Sequence, residues 1–310
     1  MNILITGGLG NIGLWLTSYF LDGGHQVSVL GRNEKVKVEH ENYRYIQADI
    51  TCSETLSNAI DCYYDTCIHT ASYNEHFQKD YSKKAVLINS LGTELLCIAL
   101  KKYGVGKLVY LSTFHVYGQA EGVVTEKSSI SPNNDYGLTH YFAEKYIEKN
   151  AKIHGLKYVI FRLTNSYGCP RDFYTDKWYL VLNDLCQQAY ENKSIVLNSN
   201  GKALRDFIWM GDVVKVIDKS IYSDQCMSTV FNLSSGNTFD VLTLANIVND
   251  AFSSIYKDKL VISVNRNDLS EYNNLIVSNE KLLNVIDYKV ENNFFSEAKK
   301  TIRMLISHHE

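Results

Sequence analysis

Four glycines near the amino terminus stand at the spacing that a phosphate-binding turn requires. Gly7, Gly8, Gly10 and Gly13 separate the apolar run 3–5 from a segment whose apolar residues recur at helical spacing. In such a turn the backbone must approach a pyrophosphate closely, and the helix must pack on the strand without an intervening Cβ. The order strand, turn, helix predicts a dinucleotide site whose contacts are Gly7, Gly10, Asn11, Ile12 and Gly13.

The end of the second predicted strand bears on which dinucleotide binds. An acidic side chain there would bind the ribose hydroxyls of NAD and repel a 2′-phosphate. The chain instead reads Leu30-Gly31-Arg32-Asn33. Because a guanidinium pairs well with phosphate, Arg32 favours NADP, although NAD stays open and Arg32 could be a solvated surface residue.

Apolar patterns place these residues on alternating strands and helices. The alternation predicts an α/β fold, a Rossmann-like, doubly wound parallel sheet. From residue 169 onward the pattern becomes mixed. We expect a dinucleotide-binding domain over 1–168 with a returning segment at about 205–235, and a smaller, mainly substrate-binding lobe over 169–310. The expected strands are 26–30, 43–48, 66–70, 107–112, 157–162 and 205–210, and the longest expected helices are 82–103 and 136–154.

Composition excludes several classes of partner. The net charge is −3 without a basic block, so the field that recruits nucleic acid or an anionic membrane is missing. Seven cysteines, an odd number without a Cys-x-x-Cys pair, argue against a disulfide framework or a thiolate metal site. The first strand begins at once and no apolar run is long enough to span a bilayer. We therefore expect a cytoplasmic protein without metal.

With these positions in place, the chain resembles the extended short-chain dehydrogenase/reductase family, in its nucleotide-sugar epimerase and dehydratase branch. The resemblance implies that Asp49 and Ile50 contact adenine and that Ala71 lies along the pyrophosphate and nicotinamide path. It spans nearly the whole chain and rests on Thr6 to Gly13, Ala48-Asp49-Ile50, His69-Thr70-Ala71, Asn89, Gly92-Thr93, Ser112-Thr113, Val116-Tyr117-Gly118, Tyr136 to Thr139, Arg162, Asn165, Tyr167-Gly168, Arg205-Asp206-Phe207, Asn232 and Gly236.

The same resemblance implies that Thr113 and Tyr136 act together on a sugar carbinol. A phenolate takes the hydroxyl proton while hydride leaves to the nicotinamide. Because a free phenol has a pKa of about 10, a positive group must lower it. The family uses a lysine four residues after the tyrosine, where this chain has His140. We expect His140 to contact the nicotinamide ribose and, when protonated, to stabilise the phenolate. Because the charge of histidine is lost near neutrality, His140 is a weaker and more pH-sensitive partner than lysine. Alternatively, it marks lost hydride chemistry.

Tyr141 is the competing tyrosine, since Lys145 follows it at the family spacing. Gly137 and Thr139 follow Tyr136, as they follow the catalytic tyrosine in the family. Tyr136 is therefore favoured over Tyr141 as the catalytic tyrosine. A helix turns 100° per residue, which separates the two tyrosines by about 140°. Only one of them can face the cofactor.

The residues after Thr113 separate the reactions of this branch. Dehydratases that the chain resembles carry Asp and then Glu there, whereas this chain has Phe114 and His115. Dehydration and glutamate-dependent decarboxylation are therefore disfavoured, and the 3,5-epimerase/reductases use a cysteine in place of Phe114. A nucleotide-sugar epimerase acting at C4 is expected. A 4-keto-sugar reductase and a catalytically weak NADP-binding regulator stay open, and His115 is either an acid/base or a packed neighbour.

Substrate contacts follow from the resemblance too. It assigns Asn165 and Arg205 to a nucleoside diphosphate sugar, and a partly buried guanidinium would meet its phosphates bidentately. Asp206 is expected to fix Arg205 or to cap the local structure. In the family, the two helices that carry Asn89 and Tyr136 pair across a dimer, so a homodimer is expected.

Overall fold

Seven parallel strands form the central sheet of the computed structural model, which describes residues 1–34, 36–74, 80–118, 121–175 and 177–309. Their order is β11-β7-β5-β4-β1-β2-β3, and the predicted doubly wound parallel sheet is confirmed. The strands are β1 Asn2–Thr6, β2 Gln26–Gly31, β3 Tyr43–Gln47, β4 Tyr64–His69, β5 Val105–Thr113, β6 Gly122–Val124, β7 Tyr158–Leu163, β8 Asn165–Tyr167, β9 Ser194–Leu197, β10 Leu204–Trp209, β11 Thr229–Leu233, β12 Thr238–Asp240, β13 Val261–Val264 and β14 Leu275–Val277.

Helices cover both faces of this sheet. One face packs against α1 and α7, and the other against α2, α4 and α5. A sheet buried on both faces needs continuous apolar strands, which is why residues 3–5 of β1 are all fully buried. The helices are α1 Asn11–Asp22, α2 Ser53–Ala59, α3 Tyr81–Ala85, α4 Gly92–Leu100, α5 Asp135–His154, α6 Val181–Asn192, α7 Met210–Tyr222, α8 Val241–Tyr256, α9 Glu280–Leu283 and α10 Phe294–His309.

A π-helical segment, Val86–Leu91, joins α3 to α4, so the predicted helix over 82–103 is continuous but irregular. Such segments occur mostly as single turns and frequently at functional sites. Asn89 lies within this segment and is buried. Its position makes the irregular turn part of the site described below.

Some segments of the carboxyl-terminal half belong to the central sheet and its helices, and others form a second core. Helices α6, α8 and α10 form a second apolar core with β9 and β13. The strand predicted at 205–210 is β10, and it lies in a three-stranded sheet with β8 and β12 rather than in the central sheet. After it, α7 packs on the central sheet and β11 forms its edge. The assignment of separate dinucleotide and substrate domains stays a prediction.

A buried ion pair fixes α5 to the central sheet. Glu144 of α5 lies 2.7 Å from the guanidinium of Arg162 on β7, and the two side chains are 0% and 6% exposed. The hydroxyl of Ser112 on β5 also donates to Glu144, at 2.5 Å. Removing one partner of such a pair leaves an uncompensated buried charge, which costs roughly 3–5 kcal/mol. The pair therefore sets where α5 lies over β5 and β7.

Two features are absent from the described ranges. Within them, no helix combines the length and apolar character that crossing a bilayer takes. The same residues contain no cluster of three or more histidine, cysteine or acidic side chains arranged to hold a metal ion.

Candidate active site

Two adjoining cavities open at the carboxyl edge of the central sheet, beside β1 and β4. The first has a volume of about 410 Å³ and the second about 390 Å³. They share Gly7, Gly10, Thr70, Ser72 and Asn74. In doubly wound sheets, this switch point between neighbouring strands is where ligands bind. Residues of the glycine turn, β2, β5 and α5 line one or both of the cavities. The fold therefore brings these four elements to one site.

The glycine turn forms the shared wall of the cavities. The Gly10 amide donates to the Gly7 carbonyl at 2.9 Å, and a Cβ added to Gly13 would lie 2.1 Å from that same carbonyl oxygen. Gly10 caps α1 without a side-chain hydrogen bond, which leaves first-turn N–H groups for a ligand. Asn11, Ile12 and Gly13 line the first cavity. The start of α1 has no side-chain cap, and the backbone of the turn packs closely against it. This arrangement fits a bound pyrophosphate.

The second cavity contains the residues expected around the adenosine part of the dinucleotide. Arg32, Asp49, Ile50 and Ala71 all line it. The Asp49 carboxylate accepts hydrogen bonds from the amide and the hydroxyl of Thr51, both at 2.8 Å. Arg32 is exposed at the end of β2. The cavity therefore combines an oriented carboxylate with a guanidinium that is accessible to solvent.

Asn89 holds the segment after β4 in place. Its side-chain oxygen accepts from the Tyr73 amide at 2.7 Å, and its amide donates to the Tyr73 carbonyl and to Thr139 of α5. These contacts fix the backbone of Tyr73, which directly follows Ser72, a residue that lines both cavities. Three strong contacts from one buried amide make the floor of the site rigid.

Tyr136 and Thr113 meet in the first cavity, as the sequence interpretation requires. Asn134 caps α5 by accepting from the Gly137 amide at 2.8 Å. A Cβ on Gly137 would lie 2.4 Å from the His115 carbonyl oxygen, so only glycine lets the helix start this close to the turn after β5. The hydroxyl of Thr113 acts on the phenol of Tyr136 and favours its ionised form.

The environment of Tyr136 disfavours its anion. Burial first, and then the nearby Tyr179, raise the pKa of Tyr136 to about 12. Hydrogen bonds from Ser72 and Thr113 act in the opposite direction but do not prevail. Tyr136 is therefore a phenol, not a phenolate, near neutral pH.

Tyr141 faces a different part of the structure. It packs against the small apolar cluster that contains Val116 and Val124. The ammonium group of Lys145 lies 5.0 Å from the centre of its ring and pairs with Glu148. The pair at the family spacing thus packs outside the cavity that Tyr136 lines.

His140 lines the first cavity, where it is enclosed by neighbouring side chains. It is 1% exposed, and its Nδ1 lies 2.6 Å from the hydroxyl of Tyr110. Burial, with repulsion from His69 and His115, lowers the pKa of His140 to about 3. The imidazolium form, in which His140 would stabilise a phenolate, is disfavoured near neutral pH, because burial removes the hydration that imidazolium needs.

Phe114 and His115 line the same cavity at the place of the missing carboxyl pair. The His115 ring lies edge-on to Tyr136, with 5.8 Å between the ring centres. His115 is exposed, in contrast to His140. It is the imidazole in this cavity that solvent reaches.

The expected substrate contacts lie at the other end of the first cavity. Asn165 and Arg205 both line it, and the Asn165 amide donates to the Asp206 carbonyl at 2.9 Å. Arg205 is exposed rather than partly buried, because it lies on β10 at the rim. Asp206 does not bind this arginine. Its carboxylate accepts from Thr164 and Ser235, which fixes the local backbone.

Two residues of the site could not be assigned from the sequence. Ser72 follows Ala71 directly at the end of β4, a position that could have marked it, since ligands bind at these strand ends. Tyr110 lies within an apolar strand and reads as core. Only the packing of β5 against α5 brings its hydroxyl to His140.

The chain is similar to known proteins over most of its length. Residues 3–233 match the family model described as the NAD dependent epimerase/dehydratase family. A dTDP-glucose 4,6-dehydratase of Streptomyces niveus is 31% identical over 262 residues, covering 79% of this chain and 76% of that protein. A putative UDP-glucose 4-epimerase of Methanocaldococcus jannaschii is 26% identical over 254 residues, covering 79% and 81%.

Among solved structures, a UDP-glucose 4-epimerase of Thermotoga maritima, crystallised with UDP-glucose, is similar over the full length of both chains. Its TM-score is 0.83 and its sequence identity 22%. This likeness establishes a shared fold.

Proposed function

The chain belongs to the NAD dependent epimerase/dehydratase family, the nucleotide-sugar branch of the extended short-chain dehydrogenases/reductases, and we propose that it is a nucleotide-sugar 4-epimerase. The observation that carries the proposal is the pairing of Thr113 with Tyr136 in a cavity where Phe114 and His115 replace the acidic pair of dehydratases. The resemblance to a putative UDP-glucose 4-epimerase supports the same reaction.

The dinucleotide is proposed to lie across both cavities. Gly7, Gly10, Asn11, Ile12 and Gly13 would bind its pyrophosphate at the start of α1. The residues that would hold its adenosine and nicotinamide parts are Arg32, Asp49, Ile50, Ala71, Tyr136 and His140. When bound, it supplies reversible hydride acceptance at a sugar carbon.

In its ionised form, which becomes populated as the pH approaches the raised pKa of Tyr136, the phenolate is proposed to take the proton of the sugar hydroxyl, with Thr113 sharing a hydrogen bond to the same oxygen. Ser72 extends this set, because it lines the same cavity and its hydroxyl also lowers the pKa of Tyr136. Three hydroxyl groups at one point can bind and orient a carbinol oxygen while its proton moves. At the far end, Asn165 and the exposed Arg205 would bind the nucleoside diphosphate.

Dehydration is not proposed, even though a 4,6-dehydratase is among the relatives. Elimination of water needs one group that protonates the leaving hydroxyl and one that removes a carbon-bound proton. Phe114 has no ionisable group. This leaves redox chemistry at one carbinol, which is what 4-epimerisation through a transient ketone requires.

Replacing Tyr136 by phenylalanine tests the assigned base. We expect Tyr136→Phe to lower turnover by about 10²- to 10⁴-fold, the usual contribution of a positioned acid/base. Dinucleotide affinity should change little, since the glycine turn is intact. Turnover is measured by chromatography of the products formed from a panel of UDP- and dTDP-hexoses, and affinity by calorimetry.

Tyr141→Phe is the matched control, because Tyr141 packs outside the cavity. It should retain full turnover. A fully active Tyr136→Phe variant would show that the base is wrongly assigned. Protein that purifies without dinucleotide and consumes NADPH stoichiometrically with a 4-keto sugar nucleotide would replace the epimerase by a reductase.

We further propose that the site prefers NADP. Arg32, exposed at the wall of the second cavity, supports this preference. After copurifying nucleotide is removed, Arg32→Ala should weaken NADPH binding by about ten- to hundredfold, the range for losing a hydrogen-bonded charge, and leave NADH binding nearly unchanged. Arg44→Ala is the control, since Arg44 pairs with Asp61 away from the site. Wild-type protein that binds NADH as tightly as NADPH would contradict the preference.

A homodimer is also proposed, formed by the helices that carry Asn89 and Tyr136. Apolar side chains remain exposed on them, namely Leu91, Ile98, Leu138, Phe142 and Ile153. Burial of such a stripe against a second copy removes apolar surface from water. Phe142→Glu should convert the dimer to a monomer in size-exclusion chromatography with light scattering. Leu269→Glu, at a position that is 86% exposed, should not. Monomeric wild-type protein would refute this proposal.

A further inference from the structure

We propose that Tyr110 is a positioning residue that holds His140 in one tautomer, with the proton on Nε2, so that His140 presents an uncharged N–H donor to the first cavity. The phenol of Tyr110 donates its proton to Nδ1 of His140. A molecule bound in that cavity would supply the oxygen that accepts from Nε2. On the proposed function, which this part of the inference rests on, that oxygen belongs to the dinucleotide.

The contact itself is short and fully enclosed. Tyr110 on β5 and His140 on α5 are each 1% exposed, and 2.6 Å separate the phenol oxygen from Nδ1. Nε2 of His140 is buried and has no hydrogen-bond partner among the described residues. His140 nevertheless lines the first cavity. Its second nitrogen is therefore available to a molecule bound there.

Two tautomers of a neutral imidazole are open to His140, and they leave different groups unsatisfied. If the phenol donates to Nδ1, the only polar group left over is the Nε2 proton at the cavity. If instead Nδ1 carries the proton and donates, the phenol proton of Tyr110 needs another acceptor in the interior. An unpartnered buried donor is costly, so the first arrangement is favoured.

His69 could have been that other acceptor, because its ring centre lies 5.2 Å from that of Tyr110. Both of its nitrogens are already engaged, Nδ1 with Thr6 at 2.7 Å and Nε2 with Thr93 at 2.9 Å. His69 therefore cannot accept the phenol proton of Tyr110, which leaves Nδ1 of His140 as the acceptor.

The groups that face His140 from neighbouring elements keep it uncharged. His69 from β4 and His115 from the turn after β5 both disfavour imidazolium, and Tyr136 from the same helix contacts it edge-on at 4.4 Å between ring centres. Glu144, one turn further along α5, is committed to Arg162 and Ser112. A neutral donor is the form this surrounding permits.

The experiment is nitrogen NMR of the histidine rings in the free protein, so it does not depend on catalytic activity. Protein labelled with ¹⁵N at the histidine rings is compared with a His140→Gln variant, whose missing signals identify His140. We expect one protonated Nε2 and one unprotonated Nδ1, unchanged between pH 6 and pH 9. Tyr110→Phe removes the donor and should give His140 a mixture of both tautomers.

A second variant covers the case in which Tyr110→Phe fails to fold. Incorporation of 3-fluorotyrosine at position 110 keeps the shape of the ring and makes the phenol a stronger donor, so the Nδ1 signal should shift further. NADPH and NADH titrations supply the ligand side. Tyr110→Phe should weaken binding by about three- to tenfold, the effect of one misplaced hydrogen bond.

Three results would overturn the inference. The first is an imidazolium or an Nδ1-protonated His140 in the wild-type protein. The second is an unchanged His140 tautomer in Tyr110→Phe. The third is an Nδ1 signal whose chemical shift does not change when the phenol is fluorinated. Failure of the epimerase proposal would leave these spectra as expected, whereas a wrong tautomer would leave the epimerase assay intact. The two proposals can therefore fail separately.

Discussion

The buried ion pair between Glu144 and Arg162 is the interaction on which the site depends. Helix α5 carries both Tyr136 and His140, and Glu144 fixes this helix against β7 and, through Ser112, against β5. The same arginine donates to Tyr117, whose hydroxyl donates to Asn232 of β11. One charged network thus joins α5 to three strands of the sheet. Because its members are buried and mutually satisfied, α5 has a single position over the cavities.

That position gives the site an unusual electrostatic character. The rings of Tyr136 and His140 are in contact, and loss of hydration raises the pKa of the first to about 12 and lowers that of the second to about 3. Both shifts have the same cause, since loss of hydration disfavours the anion of one and the cation of the other. The residue that the family fills with a lysine is here a neutral donor. Proton transfer from the sugar must then proceed without a fixed cation at this position.

The sequence predicted those parts of the site that depend on local pattern. The glycine turn and the alternation of strands and helices follow from short stretches of the chain, whereas the assignment of Tyr136 at the start of α5 came from the family resemblance. How far the pKa of His140 is lowered could not be predicted from the sequence, because an ordinary imidazole titrates near neutrality and only the packing of β4, β5 and the following turn around His140 changes this.

Other features could not be read from the chain for a related reason. Tyr110 alternates with apolar residues on a buried strand, so nothing in its own segment distinguishes a hydrogen-bonding tyrosine from a core one. Arg205 was expected to be partly buried, yet its strand lies in the small sheet at the rim. Exposure and partner choice are set by contacts between distant segments, which a single sequence does not reveal.

The central claim is that Tyr136 works beside an uncharged His140, and the pH dependence of turnover tests it most directly. On the sugar nucleotide that the wild-type protein converts, kcat should rise with pH through the neutral range, because the phenolate becomes populated only as the pH approaches the raised pKa of Tyr136. His140→Lys places a cation there and should move this rise to lower pH by about 1–3 units. A wild-type profile that is already flat at pH 7, or one that His140→Lys leaves unchanged, would contradict the account.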